Sequence, residues 1–409
     1  MKILFVLAWR NLWRNKRRTL IAVSSVLFAV VLASALLSFA EGFQQQLVET
    51  IVRQETGYIQ IQDALYHEEP SLDHVFEYGA EVRDALEAFE DEILYTIPRL
   101  RGFSLAARDM VTRPAMVTGI VPEKEDKLRN LSGDLIMGEI FSPEDDFAVV
   151  AQGLAELLDV SVGDTITLLG QGFQAITATG RFRIGGIIEF TLPEQNNFMV
   201  FLPLRQAQWY FGAENRLTGL LLMIDDPTHT DYLAAALRER LDEEWFTALT
   251  WQELMPDIVG LIEMQNTVYR GIAWVFYIII GFGIFGTILT MLYERMREFG
   301  IMLSVGMKRS KIFSMVVLET VFLSLTGGAV GFAVSYFLVR YLNQRGMDLT
   351  AMGGEILRDF GFSPIIHPEL HFGFYIQVGV MIVVFAILAS IYPAIKAVKL
   401  QPAAAVRKQ

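Results

Sequence analysis

The chain has 409 residues, 53% of them hydrophobic, with 20% charged residues, a mean hydropathy of +0.37 and a formal net charge of −12. The excess of acid argues against nucleic acid as a partner. The absence of cysteine excludes disulfides, thiolate catalysis and cysteine-ligated zinc or iron–sulfur sites.

Positive hydropathy beside so many charges means that apolar residues come in blocks. Residues 1–18 place Leu4, Phe5, Ala8, Trp9, Leu12 and Trp13 on one face at helical spacing, with Arg10, Arg14, Lys16, Arg17 and Arg18 around the rest. This predicts a cytoplasmic amphipathic helix on the membrane surface, anchored by Trp9, Arg10, Trp13, Arg14 and Arg17. An uncharged block from Leu20 to Phe39 then meets the roughly 20 residues that a bilayer core requires. The helical pattern continues through Gln44, Leu47, Ile51 and Arg53, so residues 19–53 form a first span with a stalk extension. Ser38–Phe39–Ala40 resembles a signal-peptide cleavage site, but the apolar run exceeds the usual 7–15 residues.

Residues 54–255 read as a mixed α+β domain large enough for its own core. Tyr58–Gln62, Ala115–Val121, Phe147–Val150, Ile166–Leu169, Phe182–Phe190, Phe198–Leu202 and Leu217–Ile224 have strand patterns. Glu81–Phe89, Leu154–Leu158, Leu204–Tyr210 and Thr230–Leu241 have helical ones. Phe147–Leu169 reads as a compact β-α-turn-β unit with its turn at Val162–Gly163–Asp164. Residues 111–211 have the makings of an inserted subdomain.

Pro256 opens a second stalk and span over 256–293, apolar from Gly271 to Leu292. Residues 294–311 are charged. A third span over 312–340 carries one acid, Glu319. Residues 341–371 form a loop, 372–394 a fourth span, and 395–409 a tail. Basic residues flank the spans at Arg10–Arg18, at Arg295, Arg297, Lys308, Arg309 and Lys311, and at Lys396, Lys399, Arg407 and Lys408. The positive-inside rule makes these three regions and both termini cytoplasmic. Residues 43–270 then lie outside, with 38 acids against 16 bases and a local charge of −22. The fold class is therefore an α-helical membrane protein of four spans, with a large extracytoplasmic α+β domain between spans one and two.

Gly281–Phe–Gly–Ile–Phe–Gly286 matches GxGxxG, but it lies inside a span rather than between strand and helix. Close helix packing through small residues is the better explanation, and it extends to Gly327 and Gly331. No GxxxxGK[ST] is present, so these residues hold no phosphate-cradling loop. His367, Glu369 and His371 hint at a metal site, but Pro368 breaks the helix that such spacing needs. No metal ligand set is assigned, and no Ser/His/Asp or paired-carboxylate arrangement is legible. Glu319 lies about 10 Å along the third helix from its start. An intramembrane acid marks either a functional site or a structural pair with a basic residue, for example one from the N-terminal helix.

Three stretches together resemble the MacB/LolC–LolE/FtsX family of ABC-transporter permeases: Ala8–Thr19 (AWRNLWRNKRRT), Glu294–Ile312 (ERMREFGIMLSVGMKRSKI) and Tyr392–Arg407 (YPAIKAVKLQPAAAVR). Ala148–Leu169 resembles that family's outer domain. The resemblance implies a non-catalytic membrane subunit in the bacterial inner membrane, paired with a second permease copy or paralogue above an ABC ATPase dimer that binds ATP and magnesium. It implies no cofactor on this chain. It assigns ATPase coupling to Glu294, Arg295, Arg297, Glu298, Phe299, Gly300, Ile301, Met302, Leu303, Gly306 and Met307, on a short cytoplasmic coupling helix. The cargo it suggests is a lipoprotein or other amphiphile, handed to a periplasmic acceptor or adaptor. A regulator of cell-wall hydrolases and an efflux permease are the alternatives, the first disfavoured because such regulators have smaller outer domains.

Overall fold

The computed structural model describes all residues except 1, 15, 191–192, 353, 355–362 and 400–409, so Arg407 and Lys408 of the expected tail lie outside the described residues. The chain divides into two compact units. One comprises Met1–Gln45, Ile262–Leu349 and Ile365–Gln409; the other comprises Gln46–Leu261 and Thr350–Pro364.

In chain order, α1 (Lys2–Arg14) and α2 (Lys16–Ile51) are followed by a π-helical turn, Val52–Thr56. The domain then contains β1 (Ile59–Asp63), β2 (Phe76–Glu77), α3 (Ala80–Glu87), β3 (Ile93–Arg108), β4 (Val111–Ile120), α4 (Pro122–Arg129), β5 (Leu135–Gly138), β6 (Ala148–Ala151) and α5 (Gln152–Leu158). It continues with β7 (Thr165–Gln171), β8 (Thr177–Ile188), α6 (Pro193–Asn196), β9 (Met199–Pro203), α7 (Leu204–Phe211), β10 (Arg216–Leu217), β11 (Gly219–Ile224), α8 (Thr230–Arg238), β12 (Phe246–Thr250) and α9 (Trp251–Leu254). Then come α10 (Pro256–Ser304), α11 (Arg309–Arg345), the two-stranded β13 (Met347–Asp348) and β14 (Ile365–Ile366), and α12 (Phe372–Val398).

Four helices have the length and composition to cross a membrane: Thr19–Thr50 within α2, then α10, α11 and α12. Their seam is apolar. Val26, Val30, Leu292, Ile312, Met315, Leu323, Ile382 and Ala386 are buried together, while Phe28, Phe282 and Leu388 point outward. Outward apolar rings suit hydrocarbon as solvent, because the helices satisfy their own backbone groups. Small residues set the closest approach. A Cβ at Gly327 would stand 2.7 Å from Val26 Cβ, and one at Gly331 would stand 2.8 Å from Val30 Cβ. The expectation for the GxGxxG run holds less well: Gly281 lies against Phe385, but nothing stands within 4 Å of Gly283 or Gly286. Among the described residues, no helix packs against the Cβ positions of those two glycines.

The other unit is built on one long sheet in the order β12-β1-β11-β3-β4-β9-β6-β8-β5. β3 belongs to two lobes. Its first half, Ile93–Arg99, pairs with β11, and its second half, Leu100–Arg108, pairs with β4. β7 pairs with both β3 and β8, so β3, β4, β9, β6, β8 and β7 close into a ring without free edges. Leu100, Val117, Val150, Leu154, Ile166, Phe182, Val200 and Phe211 fill one side of this lobe. Ile59, Ile61, Val82, Leu220, Leu222, Leu233 and Leu237 form the core of the other lobe, under α3 and α8.

Two expectations change here. The second lobe begins inside β3 at Leu100 rather than at residue 111, because one strand serves both sheets. The β-α-turn-β unit is also not a paired unit: β8 runs between β6 and β7, pairing with β6 through its second half and β7 through its first. Its turn forms as read, with Gly163 at φ +97° and the Asp164 carboxylate accepting the Ser161 N–H at 2.9 Å. β3 itself has no legible strand pattern, because Pro98 and Gly102 punctuate it. Gly102 is needed for packing: a Cβ there would stand 2.6 Å from the Phe211 ring.

Gly331→Val forces overpacking against Val30 and is expected to lower stability by about 1–3 kcal/mol. Gly328→Val, with nothing within 4 Å of the same point, is expected to change it far less. Thermal unfolding of the detergent-solubilised chain measures both.

Candidate functional site: a charged helical hairpin and two polar anchors

The segment expected as a separate coupling helix is the end of α10, continuous from Pro256 to Ser304, followed by a tight turn into α11. The turn has a physical cause. Gly306 takes φ +92°, Met307 N–H donates to Met302 C=O at 3.0 Å, and Gly306 N–H donates to Leu303 C=O at 3.1 Å. This is a Schellman closure, in which a left-handed glycine lets the last carbonyls find donors. Lys308, Arg309 and Lys311 follow at the start of α11. Cations oppose the dipole at a helix N-terminus, so helix stability does not explain them.

The eleven residues assigned to coupling divide into two sets. Arg295, Phe299 and Gly300 are buried, and Glu298, Met302, Leu303 and Met307 are half-buried against the bundle. Glu294, Arg297, Ile301 and Gly306 are exposed. Val305, which lies outside the assigned set, is 82% exposed, and Ile301 is 47% exposed. The hairpin thus presents an apolar tip, Ile301 and Val305, inside a basic rim of Arg297, Lys308 and Arg309. An apolar residue just before a helix-ending glycine was the available signal for Val305.

The inward set is held by charge. Arg295 Nη1 donates to Glu319 Oε2 at 2.6 Å, and its Nε donates to Glu298 Oε2 at 3.1 Å. Glu298 Oε1 also accepts from Arg14. The Arg295 guanidinium lies over the Phe299 ring, 5.1 Å from its centre. The chain Arg14–Glu298–Arg295–Glu319 therefore ties α1, α10 and α11 together. Glu319 thus pairs with an arginine of α10, and the N-terminal helix supplies Arg14 one ion further along. Arg295 consequently faces inward and is unavailable at the outer surface of the hairpin.

α1 is also more than a surface anchor. Ala8 and Leu12 are fully buried, and the Phe5 and Trp9 rings meet Phe322 of α11 edge-on at 5.7 and 5.9 Å. Trp13 packs on Trp9, while Arg10 and Arg17 are exposed. Around His367, Nδ1 lies 2.7 Å from the Asn343 carbonyl, and Asn343 Nδ2 donates to the Pro368 carbonyl at 2.9 Å. These contacts tie the end of α11 to the start of α12.

In the domain, two polar networks lie beside the segments that follow α2 and precede α10. Arg99 and Glu125, both buried, form a bidentate pair at 3.1 and 2.6 Å. Arg99 Nη1 also donates to the Glu55 carbonyl at 2.9 Å, in the π-helical turn after α2. The Glu55 carboxylate accepts from Arg101 at 3.2 Å and from Gln195. Burial would raise the Glu55 pKa, but Arg101, Arg99 and Arg129 outweigh it and hold the carboxyl below its ordinary range. The second anchor precedes α10. Thr250 and Glu253 form a capping box, and the Glu253 carboxylate also accepts from Arg238. Trp251 N–H donates to Tyr58 C=O at 3.0 Å, joining the entrance of α9 to the start of β1. The T-x-x-E spacing of Thr250 and Glu253 is a capping-box signature legible in the sequence. For the first anchor the trace is Arg99 and Arg101, alternating in β3.

Residues 19–240 match the MacB-like periplasmic core domain, and residues 270–402 match the FtsX-like permease C-terminal family. A LolE lipoprotein-releasing system transmembrane protein from Haemophilus influenzae is 24% identical over 98% of each chain. A LolC counterpart from Xylella fastidiosa is 24% identical over 72% of this chain and 73% of its own. A macrolide export ATP-binding/permease protein MacB from Shewanella is 21% identical over 84% of this chain but 53% of its own length.

Glu319→Ala removes the buried partner of Arg295, leaving it the half-exposed Glu298, and is expected to cost up to about 3–5 kcal/mol, whereas a double apolar replacement, Arg295→Met with Glu319→Met, recovers most of that. Thermal unfolding in detergent checks both. The Glu55 network has a pH signature. A carboxylate with a lowered folded pKa stabilises fully above its unfolded value of about 4.3, and that contribution is lost as pH falls through the folded value. Unfolding followed between pH 7 and pH 3 is expected to show a smaller acid-side loss in Glu55→Gln than in the wild type.

Proposed function

Because the chain belongs to the FtsX-like ABC-transporter permeases that carry a MacB-like periplasmic core domain, we propose that it is the membrane subunit through which a partner ABC ATPase drives movement of that domain, with a lipoprotein or other amphiphile as cargo. The observation that carries this reading is the α10–α11 hairpin. Its tip exposes Ile301 and Val305 within a basic rim, on a backbone locked by a Schellman turn and a buried ion pair. A rigid, charged-rimmed apolar tip is a docking element: the anchor fills a pocket and the rim sets orientation.

In the proposed assembly this hairpin, α1 and both termini are cytoplasmic, as the basic flanks require. The acidic domain is periplasmic, and the protein resides in the inner membrane. ATP and magnesium bind on the ATPase dimer. A second permease copy or paralogue completes the pair, and a periplasmic acceptor or adaptor takes the cargo. Force enters at the hairpin and leaves through α2 and α10, each a single continuous helix. Within the domain, the Glu55 network joins the π-helical turn after α2 to β3 and α4, and the Glu253 box caps α9 just before α10. The LolE lipoprotein-releasing relative, which aligns over 98% of this chain, supports an amphiphile as cargo.

Ile301→Asp and Val305→Asp test the docking tip. Each is expected to weaken ATPase association by about thirtyfold or more, the loss of a hot spot of about 2 kcal/mol, measured as ATPase recovered with the tagged, folded permease. Cargo is tested with the reconstituted complex. ATP-dependent release of a membrane-anchored lipoprotein to a soluble acceptor is expected, and its absence with every lipoprotein of the source cell overturns that assignment.

A further inference from the structure

The helical unit holds a second feature that the docking hairpin leaves unused. At the end of α11 remote from the α10–α11 turn, α11 and α12 part to leave a groove of about 470 Å3, lined by Phe332, Ala333, Tyr336, Leu370, Phe372 and Tyr375. That volume lies within the roughly 300–1,000 Å3 typical of small-molecule sites. The lining is almost wholly apolar. Two hydroxyls interrupt it. The Tyr375 Oη is buried and, among the described residues, without a hydrogen-bond partner. The Tyr336 Oη accepts from Arg340 Nη1 at 3.2 Å, which brings a guanidinium to the rim. Among the described residues no carboxylate pairs with Arg340.

Depth matters as much as composition. If the hydrocarbon begins where the basic cluster ends, at Ile312, then Phe332–Tyr336 lie about 30–36 Å along the helix and Arg340 about 42 Å. The hydrocarbon core is about 30 Å thick and the headgroup layers bring the bilayer to about 40–45 Å. A tilt of about 20° shortens these positions only slightly. The groove therefore opens at the far hydrocarbon boundary, with the unpaired cation at headgroup level.

We propose that this groove binds one diacyl phospholipid, with an acyl chain against Phe332, Ala333 and Phe372 and the phosphate on Arg340. The argument is charge complementarity at a fixed depth: an apolar slot opening into lipid, and a guanidinium whose fork matches phosphate. Tyr336 steadies that guanidinium. The proposal rests on these helices spanning a membrane and is independent of the cargo.

Photolabelling of the full chain tests it. The protein is placed in nanodiscs of phosphatidylethanolamine and phosphatidylglycerol, doped with a phosphatidylglycerol carrying a diazirine near the carbonyl end of one chain. Adducts are mapped by mass spectrometry. α10 runs alongside α12, with Gly281 against Phe385, so exposed Val268 and Ile272 on α10 serve as controls at comparable depth. Labelling of Phe332–Tyr336 and Leu370–Ile376 is expected to exceed the controls about tenfold, the factor given by a site preference of 1.4 kcal/mol. Ala333→Trp, at an exposed position, fills the groove and is expected to abolish that excess while control labelling stays unchanged. Arg340→Gln is expected to reduce groove labelling by the phospholipid but not by a diacylglycerol with the same diazirine chain. Equal labelling of groove and control faces, or indifference to Ala333→Trp, overturns the site. Equal labelling by the two probes in the wild type overturns the phosphate contact.

Discussion

Arg295 on α10 and Glu319 on α11 meet at 2.6 Å, in a setting where neither charge could stand alone. Stripping an ion of water costs several kcal/mol even after relaxation, and in an apolar bundle the opposite ion must offset it. The pair therefore admits few arrangements of the two helices. The α10–α11 turn stays narrow, Phe299 stays beneath the guanidinium, and Glu298 stays where it can reach Arg14 on α1. The acid inside α11 thus ties that helix to α10. Arg295 and Phe299 are buried and Glu298 is half-buried, whereas Ile301, Val305, Arg297, Lys308 and Arg309 are exposed.

The same logic recurs in the domain, with a different consequence. Arg99 and Glu125 are buried and paired, and Arg99 reaches the backbone of the π-helical turn that follows α2. The Glu253 box caps α9, the short helix that precedes α10. β3 extends the connection, because a single strand runs from the lobe of β1 and β11 into the closed ring of the second lobe. The two lobes share a rod rather than a linker.

Membership of the FtsX-like permeases places these features in a protein with two kinds of surroundings. Outward apolar rings on the helices suit lipid, and the acid-rich domain suits water. The groove at Tyr336 and Arg340 lies where those surroundings meet, the depth at which a phospholipid presents both a chain and a phosphate.

Hydropathy and charge are sums over neighbouring residues, so whatever depends on such sums is legible in the sequence alone. The four long helices, the basic flanks, the mixed domain between the first two and the glycine that ends α10 all belong to this class. Most short strands and helices of the domain are legible too, since their periods are local. Pairing across distance is not. Arg295 and Glu319 are 24 residues apart, Glu55 and Arg101 46, and Glu55 and Gln195 140, and no periodicity announces such partners. The long β3 is hidden by Pro98 and Gly102, residues that read as breaks until Phe211 and β11 are seen to require or tolerate them. The sequence by itself determined which segments are helical and apolar and which end of each carries positive charge. Only the tertiary structure decided which charges face inward as ties and which remain outside as surface, because that choice depends on contacts between residues that the chain brings together last.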